Sequence, residues 1–120
     1  REDLGIFANI TPEFASPVGI RTAAQIAQST VVSTMPDVIL VSGPMAGSEP
    51  DVKTVAEVRA SVDVSIPVLL NTGAKSHTIK EFFKYADGCI VGSYLKRDGY
   101  TWNEVDPERV KRFVDAARSA

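Results

Sequence analysis

The amino-acid sequence predicts an α/β fold built from four (β/α) units, on three observations. Four short apolar runs, LGIFANI, DVILVSG, IPVLLNTG and DGCIVGS, have strand character without polar alternation, the pattern of parallel strands covered on both faces. Each run leads into a glycine- or proline-containing loop and then a helical pattern. No linker or block of like charge interrupts the series, so residues 1–120 read as a single domain. Repeated strand, loop and helix imply right-handed crossovers and a parallel sheet. Two architectures satisfy this: a small open sheet, or a half barrel of the TIM type.

The first helix is expected from Thr22 to Thr34, with Ala23, Ile26, Ala27 and Val31 at helical spacing, and the second carries Val52, Val55, Ala56, Val58 and Val62 in the same manner. In the SGPMAGSEP loop before it, Gly47 permits a turn that makes Ser48 the expected cap. Ser76 is expected to cap a short third helix marked by Ile79, Phe82, Phe83 and Ala86. The fourth has the firmest boundary: Asp106 caps, Pro107 suits the first turn, and Val110, Phe113, Val114 and Ala117 form the buried face.

With 44% hydrophobic and 23% charged residues, the chain has the composition of an ordered globular domain. A formal charge of -2 lacks the basic footprint of nucleic-acid binding, so no nucleic-acid partner is expected. No apolar stretch is long enough to span a bilayer, and the N-terminal residues lack a signal peptide's character, so membrane insertion is not expected either. The single cysteine, Cys89, fits a small buried residue in a reducing, cytoplasmic compartment. A start at Arg1, running almost at once into a strand, is expected of a piece of something longer.

In either architecture, ligand chemistry gathers where strands end and helices begin: at Asn9–Gly19, Ser42–Gly47, Asn71–Lys75 and Gly92–Gly99. His77, the one histidine, has no Cys, His or paired carboxylate near it in sequence, so neither a metal site nor a Ser-His-Asp triad is expected. Glu13 is a candidate acid or base on the first loop. Tyr100 and Trp102 are expected to pack over the barrel rim rather than stack on a base.

The runs DVILVSGPMAGSEPDV, IPVLLNTGA, ADGCIVGSYLKRDG and VDPERVKRFVDAAR, in this order and spacing, resemble the C-terminal half of the BtpA family, the photosystem I biogenesis protein family. That resemblance implies a TIM-barrel-like fold, with these units as the fifth to eighth. The chain departs from the family pattern at Glu13-Phe14, where a Lys-His pair is usual, and at Asn71-Thr72-Gly73 in place of Gly-Ser-Gly.

Barrels commonly bind phosphate between the loops after strands seven and eight. On that numbering NTGAKS and VGSYLKRDG are the paired loops, and Ser93-Tyr94-Leu95 suits the short extra turn. Gly73 and Gly92 allow close approach of a ligand to backbone, the amides of Ala74 and Ser93 follow them, and Thr72 and Ser93 add hydroxyl donors. Lys96 gains its place as the charged site residue from the family match. Ser42, Gly43 and Glu13 form a possible second ligand loop. The expected partner is a phosphorylated small molecule, a sugar phosphate or a nucleotide, with no cofactor; a scaffold or assembly role is the alternative. No Gly-x-x-x-x-Gly-Lys-Ser/Thr loop supports a triphosphatase. Catalytic residues stay unassigned, because barrel catalysis draws on several strands and half would lie elsewhere. The open edges and interior of such a half are expected to meet the rest of the same barrel or a second copy.

Overall fold

The computed structural model describes residues 2–120; the expectation drawn from Arg1 lies outside them. Strands β1 (Phe7–Asn9), β2 (Val38–Val41), β3 (Val68–Leu70) and β4 (Gly88–Cys89) alternate with helices α1 (Ala23–Thr34), α2 (Val52–Ser61), α3 (Ile79–Phe82) and α4 (Pro107–Arg118). Two short 3-10 turns, Ser93–Leu95 and Arg97–Gly99, lie between β4 and α4. The sheet order is β1-β2-β3-β4, and every pairing is parallel.

The register sorts the strand side chains by face. Ile39, Val41, Val68 and Leu70 join Ala27 of α1, Val55 and Val58 of α2, Ile79 and Phe82 of α3 and Phe113 of α4 in one buried cluster. All four helices therefore cover one face of the sheet. An open doubly wound sheet places helices on both. The opposite face carries the row Asn9, Leu40, Leu69 and Gly88, whose Cα atoms pair across the sheet, with Phe7 and Val38 below it. Leu40 and Val38 are nearly buried by their neighbours, while Phe7 on the β1 edge stays 54% exposed.

Local chemistry sets the helix boundaries. Thr22 caps α1 in a reciprocal capping box with Gln25. Asp106 caps α4 through Glu108 and Arg109, with Pro107 in the first turn, as the sequence predicts. Two expected caps are corrected. Asp51, not Ser48, caps α2 by accepting from the Lys53 amide, because the turn closed by Ser48 N to Met45 O leaves three further residues before the helix. Ser76 does not cap α3, which begins after Thr78; its hydroxyl bonds the Tyr94 hydroxyl instead. Tyr100 and Trp102 do not pack on a rim within this chain: they are 59% and 84% exposed.

At the N-terminal ends of β3 and β4, Arg59 (17% exposed) ties four groups together. It donates to the carbonyls of Val62, Asp63 and Ile66 and to Asp87 Oδ2, at 2.6–3.3 Å. Asp87 Oδ2 in turn accepts from the Val68 amide at 2.8 Å. Arg59→Ala would strand those acceptors and is expected to cost about 2–4 kcal/mol. A urea melt checks this; a loss under about 0.5 kcal/mol would show the clamp to be incidental.

Candidate functional site

The C-terminal strand ends converge on two clefts. The first, about 460 Å³, is lined by Asn71–Lys75 after β3, Ile90–Tyr94 after β4, Ala46 and Gly47 after β2, and Gly99 and Arg109. The second, about 880 Å³, is lined by the loop after β1 from Thr11 to Pro17, with Arg21, Ser42–Pro44 and Pro50–Asp51. The loop after β2 thus contributes to both.

Between strand ends and clefts lies a polar row on the helix-free face. Asn71 Nδ2 donates to Ser42 Oγ at 2.9 Å, and Ser42 Oγ donates to Asn9 Oδ1 at 3.2 Å. Thr11 locks the same strand ends, its hydroxyl donating to the Ser42 carbonyl and accepting from the Ser42 amide. These three strands therefore pass from an apolar layer to a hydrogen-bonded polar one at the mouth.

The two glycines of the first cleft play different parts. Gly73 has φ +76°, and a Cβ there would stand 2.3 Å from backbone atoms of Ser48 and Glu49. Its missing side chain is filled by the neighbouring loop. Around Gly92 nothing lies within 4 Å of the Cβ direction, so space opens into the cleft. Thr72 belongs with Gly73: its hydroxyl donates to the Ser48 carbonyl at 2.8 Å and accepts from the Gly43 amide at 2.7 Å. The expected ligand-donor role of Thr72 is corrected on this ground, since its one proton is already held. Gly43 is the other half of that joint, a Cβ there falling 2.3 Å from the Ser48 carbonyl oxygen.

Around the cleft the backbone amides of Gly73, Ala74 and Lys75, and those of Gly92, Ser93 and Tyr94, meet no hydrogen-bond acceptor among the described residues. Ser93 pairs its hydroxyl with that of Thr101 at 2.6 Å, which leaves one of the two protons to donate elsewhere. Successive unpaired amides of this kind are the donors from which an anion-binding concavity is built.

Lys96, the charge expected from sequence, is half-buried and pairs through its backbone with Val105; it does not line the cleft. The cations that do are Lys75, whose Nζ lies 3.6 Å from Glu49 Oε2, and Arg109, which the sequence analysis does not single out. A signal for Arg109 existed: it falls three residues after the Asp106 cap, on the helix turn nearest the β4 loop. In the second cleft, Glu13 is half-buried and its Oε2 is enclosed with no hydrogen-bond partner among the described residues. Exposed His77 lies in neither cleft. The described residues hold no group of three or more His, Cys, Asp or Glu able to take a metal. Burial pushes the Cys89 thiol up from its ordinary value.

A BtpA family model matches residues 1–119. The chain belongs to the BtpA family. The sgc region protein SgcQ of Escherichia coli is 38% identical over 89% of this chain and 40% of its own length. The photosystem I biogenesis protein BtpA of Synechocystis is 31% identical over 95% of the chain and 39% of its length. An uncharacterized protein of Thermococcus kodakarensis is 33% identical over 97% of the chain and 43% of its length. This BtpA-family chain thus spans less than half of the relatives it matches. N-(5'-phosphoribosyl)anthranilate isomerase from Pyrococcus furiosus superposes with a TM-score of 0.60 at 17% identity, over 95% of this chain and 50% of that one. With the helices confined to one face, that likeness makes the fold a four-unit half of a TIM-type barrel.

Proposed function

We propose that this BtpA-family chain binds a phosphorylated small molecule, a sugar phosphate or nucleotide, at the C-terminal face of its half barrel. The observation that carries the reading is the set of six loop amides without acceptors around one cleft, where Gly92 leaves room for an anion. Phosphate oxygens are strong acceptors, and two loops with several unpaired amide donors complement them. Gly73, Ala74, Gly92 and Ser93 supply the backbone of the site. The wider cleft with Glu13, Ser42 and Gly43 suits the rest of the ligand, since the loop after β2 lines both clefts and joins them. The remaining barrel units complete the mouth, and the reading assumes a cytoplasmic protein. Among the described residues no helix is long and apolar enough to cross a membrane.

Calorimetric titration of the intact protein tests this. Glucose 6-phosphate is expected to bind with a Kd of about 1 mM or tighter, and glucose to give no heat of binding. Equal responses to both, or none to either, would remove the phosphate reading. The second reading is a non-catalytic assembly or stability factor, and the printed name of the Synechocystis relative favours it. Phe14, Val18 and Ile20 on the loop after β1, 83% to 105% exposed, offer such a role an apolar surface.

A further inference from the structure

We propose that Arg109 is the side chain that binds the phosphoryl group, a role that rests on the phosphate reading above and deepens it. Four cations stand on or near the paired loops. Arg97 is joined to Glu104 at 3.0 Å and Lys75 to Glu49 at 3.6 Å. Lys96 does not reach the cleft lining. Arg109 lines the cleft, and among the described residues no carboxylate lies within ion-pair distance of its guanidinium.

Its orientation is held from one side only. Nε donates to the Tyr94 carbonyl at 2.5 Å, and the guanidinium carbon sits 4.6 Å from the centroid of the Tyr94 ring. Tyr94 is itself fixed by its hydroxyl on Ser76 and its ring against Phe113, with centroids 5.9 Å apart. The two terminal nitrogens keep their N–H groups without acceptors among the described residues. One of them, Nη2, stands where a Cβ on Gly99 would come within 3.3 Å, so Gly99, at φ +69°, leaves the fork its room. A planar fork anchored at Nε and open at both Nη atoms matches two oxygens of one phosphoryl group. Tyr94 also contributes one of the unpaired amides, so a single residue aims both kinds of donor.

The test titrates the intact protein with glucose 6-phosphate, following heat of binding, and melts each variant by circular dichroism. Arg109→Gln is expected to weaken binding about 10- to 100-fold, and Lys96→Gln less than about 3-fold. Arg109→Lys keeps the charge and loses the fork, so its binding is expected between wild type and Arg109→Gln. A purely structural Arg109 gives another result: Gln and Lys variants lose thermal stability together and bind alike. If the wild type binds but folded Arg109→Gln binds as tightly, or if Lys96→Gln takes the larger loss, the assignment is overturned while the phosphate reading stands. If the wild type does not bind, both fall. Should Arg109→Gln not fold, Arg109→Lys decides: wild-type affinity in that variant overturns the fork.

Discussion

Gly92→Asp is expected to abolish phosphate binding while leaving the fold in place. No heavy atom lies within 4 Å of the position its Cβ would take, so the added side chain meets no neighbour. The added carboxylate would stand among the unpaired amides of the cleft, occupying and neutralising the donors a phosphate needs. A loss of at least about 100-fold in affinity for glucose 6-phosphate follows, with a melting temperature within a few degrees of wild type. Undiminished binding by the folded variant would show that the anion site lies elsewhere.

Gly73→Ala is expected to do the opposite, damaging the fold more than any local effect on a ligand would suggest. The substitution puts a Cβ at positive φ, where alanine is disfavoured by about 1–2 kcal/mol, and drives it into the Ser48–Glu49 backbone. Relief requires the loops after β2 and β3 to separate. That breaks the Thr72 bonds to Ser48 and Gly43. The total is expected at about 3–5 kcal/mol, a large share of the stability of a small domain. Urea unfolding of wild type and variant measures it, and a difference below about 1 kcal/mol would mean that the joint yields easily.

The contrast between these glycines shows where sequence reading reached and where it stopped. Both follow an apolar strand, both open a polar loop, and nothing in their local sequence separates them. The difference arises from Ser48 and Glu49, more than twenty residues upstream of Gly73, which the fold brings against Gly73 and not against Gly92. Thr72 shows the same limit, because a hydroxyl is legible as a donor but its acceptor is a carbonyl on another loop. By contrast the α4 boundary was legible, since Asp106 and Pro107 act on amides within three residues. The four βα units followed from their apolar runs for the same reason. Arg109 was hidden because its partner, the Tyr94 carbonyl, lies 15 residues earlier and beyond a folded-back loop.

The agreement between strand order and chain order bears on how the polypeptide reaches this structure. Each new strand docks on the one made just before it, across a separation of about 20 to 30 residues, so the entropy of loop closure is nearly the same at every step. Contacts this local favour fast folding for a parallel α/β sheet. A ribosome delivering the chain from its N-terminus would present each unit to a completed neighbour, and no strand would wait for a partner not yet synthesised. The growing edge is always the newest strand. By that logic the last stage of assembly is the loop that carries Ser93 and Tyr94 into place and then α4, which brings Arg109 onto the Tyr94 carbonyl, so the anion site forms only when α4 has closed over it.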